Sequence, residues 1–173
     1  LIDCGMFQGL KELREINWEP LPIDVSKIDV VLLTHGHLDH TGYLPRLVKE
    51  GFKGSILATE PTLAIARIIL LDSAKIQEEQ AKKANEEGYS KHPVALPFYD
   101  LREAENTIKL FSGCKKDDWI ELSENIRFQF KYNGHIIGST FIHLEMFEKV
   151  FVFSGDVGRL NDELLSPPER PKW

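Results

Sequence analysis

Six consecutive residues, His35-Gly36-His37-Leu38-Asp39-His40, bring three imidazoles and a carboxylate together in one short stretch. These are ligand types for zinc and its neighbours in the first transition row. They follow Val30-Val31-Leu32-Leu33, an apolar run that reads as a buried strand. The ligands would therefore stand where a stiff element ends and faces solvent. A lone histidine beside a core is ordinary. Three with an aspartate would leave a costly set of desolvated polar groups unless a metal used them.

Two further stretches carry ligand-type residues directly after strand-like runs. They are Asn133-Gly134-His135-Ile136-Ile137-Gly138-Ser139 and Phe153-Ser154-Gly155-Asp156-Val157-Gly158-Arg159. In each, glycine beside the candidate ligand permits a sharp turn and a close approach of backbone to a site. Asp3 ends the apolar Leu1-Ile2 pair and is another acid at a strand end. Taken singly, each acid reads as a turn or cap residue; with the six-residue cluster they form a set.

The elements that must position this set alternate between strand and helix. Strands are expected at residues 1–3, 28–34 and 55–58, the second with the unbroken apolar character of a strand covered on both faces. Residues 5–25 read as irregular, with one helical turn around 10–15. A short helix over 42–50 would stop at Gly51. Thr59 can cap a long helix with Pro61 in its first turn, running to Glu87. Leu63, Ile65, Ile68, Ile69 and Leu71 would pack on the sheet, and the charged residues 75–87 read as a solvated face. After a loop over 88–97, Asp100-x-x-Glu103 resembles a capping box opening a helix to Phe111, stopped by Gly113. Strands over 119–122 and 125–132 precede a hairpin of 141–146 and 150–153. In 125–132, Ile126, Phe128, Phe130 and Tyr132 alternate with polar residues, as a half-buried strand requires. Strands at both ends with helices between them indicate a layered α/β domain.

The whole chain bounds the reading. Its 173 residues, 42% hydrophobic, suffice for one domain or a piece of one. A net charge of −6 gives no general basic surface, so any contact with nucleic acid must be local. Cys4 and Cys114 form no C-x-x-C pair, which argues against a disulfide framework or a thiolate metal site. No secretory signal is visible, and no apolar run reaches the roughly 18 residues of a membrane span. A cytoplasmic, soluble protein with no membrane partner is expected. The opening on Leu1 and the closing Pro167-Pro168-Glu169-Arg170-Pro171-Lys172-Trp173 read as cut ends.

The set as a whole resembles the metallo-β-lactamase superfamily. Asp3 is similar to its first motif, His35 to His40 to its second, His135 to its third and Asp156 to its fourth. Asp3-Cys4-Gly5-Met6-Phe7-Gln8-Gly9, Tyr43-Leu44-Pro45, Gly134-His135-Ile136-Ile137-Gly138-Ser139 and Ser154-Gly155-Asp156-Val157-Gly158-Arg159 further resemble the β-CASP nuclease branch, whose members process RNA. The resemblance implies an αββα sandwich, here as residues 1–173 of a partial domain, truncated at both ends and lacking the β-CASP domain. It implies two zinc ions: one held by His35, His37 and His135, the other by Asp39 and His40, with Asp156 bridging. Asp3 would orient a ligand imidazole, and Asp39 could orient the water. The implied activity is hydrolysis of phosphodiester bonds in single-stranded RNA by a metal-bound hydroxide. The implied assembly is a homodimer or a processing complex. His92 and His143 match none of the motifs; His92 reads as an exposed loop residue and His143 as a structural one. A hydrolase for a thioester, lactone or β-lactam, or a non-catalytic scaffold, stays open as an alternative.

Overall fold

The apolar runs become two β-sheets. The computed structural model describes residues 1–89 and 93–171. Strands β1 (Val30–Leu32), β2 (Ser55–Thr59) and β3 (Phe111–Cys114) form a parallel sheet in the order β1-β2-β3. Ile2 bridges Leu32 in parallel, so the first residues extend the β1 edge. Strands β4 (Ile120–Ser123), β5 (Ile126–Tyr132), β6 (Thr140–Met146) and β7 (Lys149–Phe153) form an antiparallel sheet in chain order. Phe147 and Glu148 join β6 to β7 with φ of 50° and 62°, the left-handed backbone that a two-residue hairpin loop favours. Among the described residues, five α-helices accompany the strands: α1 (Lys11–Ile16), α2 (Leu38–Thr41), α3 (Leu44–Lys49), α4 (Glu60–Glu87) and α5 (Leu101–Ile108).

The period of two along β1 sorts its side chains between two cores. Val31, with Leu33 beyond the strand end, packs into the layer that holds Leu44, Leu47, Leu63 and Leu70 from the helices. Leu32 points the other way, into Phe128, Phe130 and Ile142 of the antiparallel sheet. A strand covered on both faces was expected from its unbroken apolar run, and these two clusters are its two covers. Helix layer, parallel sheet and antiparallel sheet thus stack in the order an αββα sandwich requires.

Several elements depart from the sequence expectation. The helix opened by Asp100 ends at Ile108 and not at Phe111. Phe111 instead begins β3, because the Leu110 carbonyl accepts from Ile56 N–H at 2.9 Å and the next four residues pair with β2. A vacant sheet edge outweighs local helix preference there. The buried stripe of α4 is Thr62, Leu63, Ala66, Leu70, Ala74, Ala81 and Ala84, which recur at the three-, four- and seven-residue intervals of one helix face. Ile68, expected to pack on the sheet, is 67% exposed. The alanines let the helix lie close, and Ile68 falls outside the stripe they share with Leu63 and Leu70. The capping box is present as read: Glu103 N–H donates to Asp100 at 2.8 Å and Asp100 N–H to Glu103 at 3.0 Å. His92 lies outside the described residues. No helix among the described residues is long and apolar enough to cross a membrane.

Candidate metal centre

The chain leaves β1 still tied to the sheet, Leu33 N–H donating to Leu57 O at 2.9 Å. Two residues later His35 is fully buried. Its Nδ1 lies 3.0 Å from the Thr34 hydroxyl, which turns Nε2 to the mouth of the sheet. There Nε2 stands 3.0 Å from His37 Nδ1 and 3.8 Å from Asp156 Oδ2. His135 Nε2 joins them, 3.3 Å from His37 Nδ1 and 3.4 Å from Asp156 Oδ2. One ligand atom from each of His35, His37, His135 and Asp156 falls within 4.8 Å of all the others.

Asp39 and His40 reach the same mouth by a turn that the sequence did not announce. His37 is the N-cap residue of α2, and its carbonyl accepts from His40 N–H and Thr41 N–H, both at 3.0 Å. The Thr41 hydroxyl adds a third bond to that carbonyl at 2.9 Å. This single helical turn projects His40 toward Asp3, whose Oδ2 lies 2.7 Å from His40 Nδ1. Asp3 is itself fixed by Thr34, accepting from its N–H and its hydroxyl at 2.8 Å each. With Nδ1 engaged, His40 Nε2 faces outward, 3.5 Å from Asp156 Oδ1 and 3.9 Å from Asp39 Oδ2. The two oxygens of Asp156 therefore divide. Oδ2 faces His35 and His135, and Oδ1 faces His40.

Electrostatics separate two of the imidazoles. Burial, reinforced by the neighbouring His40 and His37, pushes the His35 pKa down to about 4, so its lone pair is available at neutral pH. The hydrogen bond to Asp3 raises His40 above its ordinary value. The donor set fits a divalent metal. Imidazole nitrogens facing one another at 3.0 and 3.3 Å can share at most one proton per pair, and a cation between them would satisfy all. An imidazole whose other nitrogen is engaged by Thr34 or Asp3 is the usual form of such a ligand.

The loops that carry His135 and Asp156 are fixed by residues to which the sequence reading gave no such role. Ser139 Oγ accepts from His135 N–H at 3.1 Å and Ile136 N–H at 3.0 Å, and donates to Ile136 O at 2.7 Å. Thr59 occupies the N-cap position of α4, yet its hydroxyl does not bond the helix as expected of a cap. It lies 2.7 Å from Gly138 O, with the Thr62 hydroxyl at 2.8 Å from the same atom. Asn133 spans both loops. The only local signal was a threonine closing each apolar strand, Thr34 after β1 and Thr59 at the end of β2. His143 lies in β6, buried under Trp119 at 5.2 Å between ring centres and 3.7 Å from Glu145. It is no part of the centre, as expected.

Residues 1–171 match the family model described as the metallo-beta-lactamase superfamily. The chain belongs to the metallo-β-lactamase superfamily. Among the relatives this metallo-β-lactamase chain is similar to is ribonuclease TTHA0252 of Thermus thermophilus. The two are 33% identical over 171 residues, which cover 99% of this chain and 35% of the relative. Transcription termination factor FttA of Cenarchaeum symbiosum is 31% identical over 91% of this chain and 23% of its own length. The chain thus spans about a quarter to a third of these relatives, which agree with the RNA-processing branch its flanking motifs resemble. A solved metallo-β-lactamase of Cronobacter sakazakii shares the fold at a TM-score of 0.52 and 17% identity, over 94% of this chain and 54% of that one.

Proposed function

We propose that this chain carries the metal centre of a zinc-dependent ribonuclease that hydrolyses phosphodiester bonds of single-stranded RNA in the cytoplasm. His35, His37 and His135 would hold one zinc ion, Asp39 and His40 a second, and Asp156 would lie between them. The observation that carries this reading is the division of the Asp156 carboxylate, one oxygen toward His35 and His135 and the other toward His40. Bound zinc would supply a water acidified toward neutral pH and positive charge for the phosphoryl oxygens.

The chain's own residues do the rest. His35 stays neutral at its buried position and presents Nε2. Asp3 holds the His40 ring by Nδ1, so only Nε2 can face the centre. Asp39, with its side chain 55% exposed, stands at the open side, where it can help orient an incoming water. A dicationic centre would draw an anionic strand to a chain whose net charge is −6. Residues 1–173 are read as part of a metallo-β-lactamase domain. The homodimer or processing complex in which it works is measured by light scattering on the intact protein.

The test is metal analysis and RNA cleavage by the intact protein. About two zinc ions per chain are expected, with cleavage of single-stranded RNA that His37→Ala abolishes. A folded protein that takes up no metal at neutral pH removes the reading. Hydrolysis of a thioester or lactone with RNA left intact would move it to another hydrolase class.

A further inference from the structure

One buried polar residue near the centre belongs to no ligand pattern. Asn133 directly follows β5, is 1% exposed, and bonds in three directions. Its Oδ1 accepts from His135 N–H at 3.3 Å, its Nδ2 donates to Ser154 O at 2.9 Å, and its carbonyl accepts from Gly158 N–H at 2.8 Å. Ser154 and Gly158 lie two residues before and two residues after Asp156. His135 lies two residues after Asn133. One residue therefore grips the Asp156 loop on both sides and the His135 loop at its start.

We propose that Asn133 is a positioning residue that fixes the separation of His135 and Asp156, and so sets how well the centre holds metal. The inference rests on the metal reading above. Its physical basis is that both ligands sit in loops, not in strands or helices. Asp156 itself is half exposed, and among the described residues its carboxylate has His35, His40 and His135 nitrogens near it at 3.4 to 3.8 Å and no side-chain hydrogen bond. Nothing on its own side chain fixes it before a metal arrives. Its backbone is fixed by Asn133 and by the approach of Gly158 to Gly134, where an added Cβ would overlap the Gly134 carbonyl. Buried, hydrogen-bonded polar groups of this kind favour one low-energy arrangement. A ligand held within a few tenths of an ångström of its working position needs less reorganisation on binding.

The experiment uses the intact protein and three chains: the parent, Asn133→Asp and Phe128→Leu. Asn133→Asp keeps an acceptor for His135 N–H but turns a carboxylate oxygen toward Ser154 O. Phe128→Leu loosens the core between the sheets, away from the loops, and serves as the control for a general loss of stability. Zinc affinity is read by chelator competition. The visible absorption of the cobalt-substituted protein reports ligand geometry, and melting of the metal-free protein reports stability. Asn133→Asp is expected to lower zinc affinity by roughly 10–100-fold, the usual effect of removing a partner that orients a ligand. Its cobalt spectrum is expected to change, while Phe128→Leu melts earlier and keeps parental affinity and spectrum. Parental affinity and spectrum in Asn133→Asp overturn the inference and leave the metal reading standing. An equal loss of affinity in Phe128→Leu also overturns it. A parent that binds no metal overturns both.

Discussion

Asp3 Oδ2 lies 2.7 Å from His40 Nδ1, across 37 residues of sequence. This contact joins the edge of the parallel sheet to a single helical turn and decides which nitrogen of His40 faces the centre. Asp3 adopts φ of +50° to reach it, a left-handed backbone that a side chain other than glycine takes at some energetic cost. The neighbouring backbone supports that conformation, Asp3 N–H donating to Leu32 O at 2.9 Å and Cys4 N–H to His40 O at 2.8 Å. Asp3→Asn is expected to keep the fold, since an amide oxygen can still accept from Thr34. It is expected to weaken zinc binding by roughly 10–100-fold. Chelator competition on the intact protein measures this, and an affinity within twofold of the parent would show the contact to be structural only.

Cys4 gives a chemical reporter of the same segment. Burial, with Asp3 adding to it, pushes its thiol up to about 12. Only the thiolate alkylates, so at pH 8 the native thiol should react about a thousandfold more slowly than the unfolded one, from thiolate fractions alone. Mass spectrometry after iodoacetamide treatment, with and without denaturant, measures the ratio. The sign for stability follows from linkage. The raised pKa stabilises the fold below the unfolded thiol's value near 9, and this contribution is lost as pH rises from there toward 12. Cys4→Ala should therefore flatten the fall of melting temperature over that alkaline range.

The sequence made the two-layered sheet and the ligand set legible for the same reason: both are written in side-chain type at short range. Val30-Val31-Leu32-Leu33 needs covers on two faces, and Phe128 with Phe130 alternates with charged and polar residues. The Asp100 capping box was legible too, because both of its halves lie within four residues. What was not legible depends on distant partners. Residues 111–114 carry no strand pattern and become β3 only because β2 offers an edge. Ile68 looked like core, yet the face of α4 is chosen by close packing of Ala66, Leu70 and Ala74. The hydroxyls of Thr59 and Thr62 are aimed at a carbonyl 79 and 76 residues away, which no local pattern encodes.

Asp100 lies on the helix layer and supplies an independent check on stability without touching the centre. Asp100→Ala removes the side-chain acceptor for Glu103 N–H at the start of α5. A lost cap costs about 0.5–2 kcal/mol. The urea midpoint should drop accordingly, with an unchanged slope. Under the proposed function, metal content and RNA cleavage by the intact protein should stay at parental levels at 25 °C, because among the described residues Asp100 makes no hydrogen bond to a ligand loop.

The pair of hydroxyls on Gly138 O makes a non-additive prediction. Thr62 is fully buried, Thr59 is 6% exposed, and their Oγ1 atoms lie 3.0 Å apart while both approach the same carbonyl. Gly138 has φ of +81°, and an added Cβ would meet Thr62 N at 2.6 Å, so the loop cannot retreat toward α4. In Thr62→Val, Thr59 still donates to Gly138 O; in Thr59→Val, Thr62 does. Each single variant should therefore lose only about 0.5–1.5 kcal/mol, the usual net worth of one hydrogen bond. The double variant leaves the carbonyl without either donor and should lose more than the sum, by about 0.5 kcal/mol or more. Urea denaturation of the four chains of the cycle measures the excess. Because Gly138 closes the loop that carries His135, the double variant should also bind zinc more weakly than either single one. Strict additivity in stability, with zinc affinity unchanged in the double variant, would mean that the two threonines pack the helix without clamping the loop.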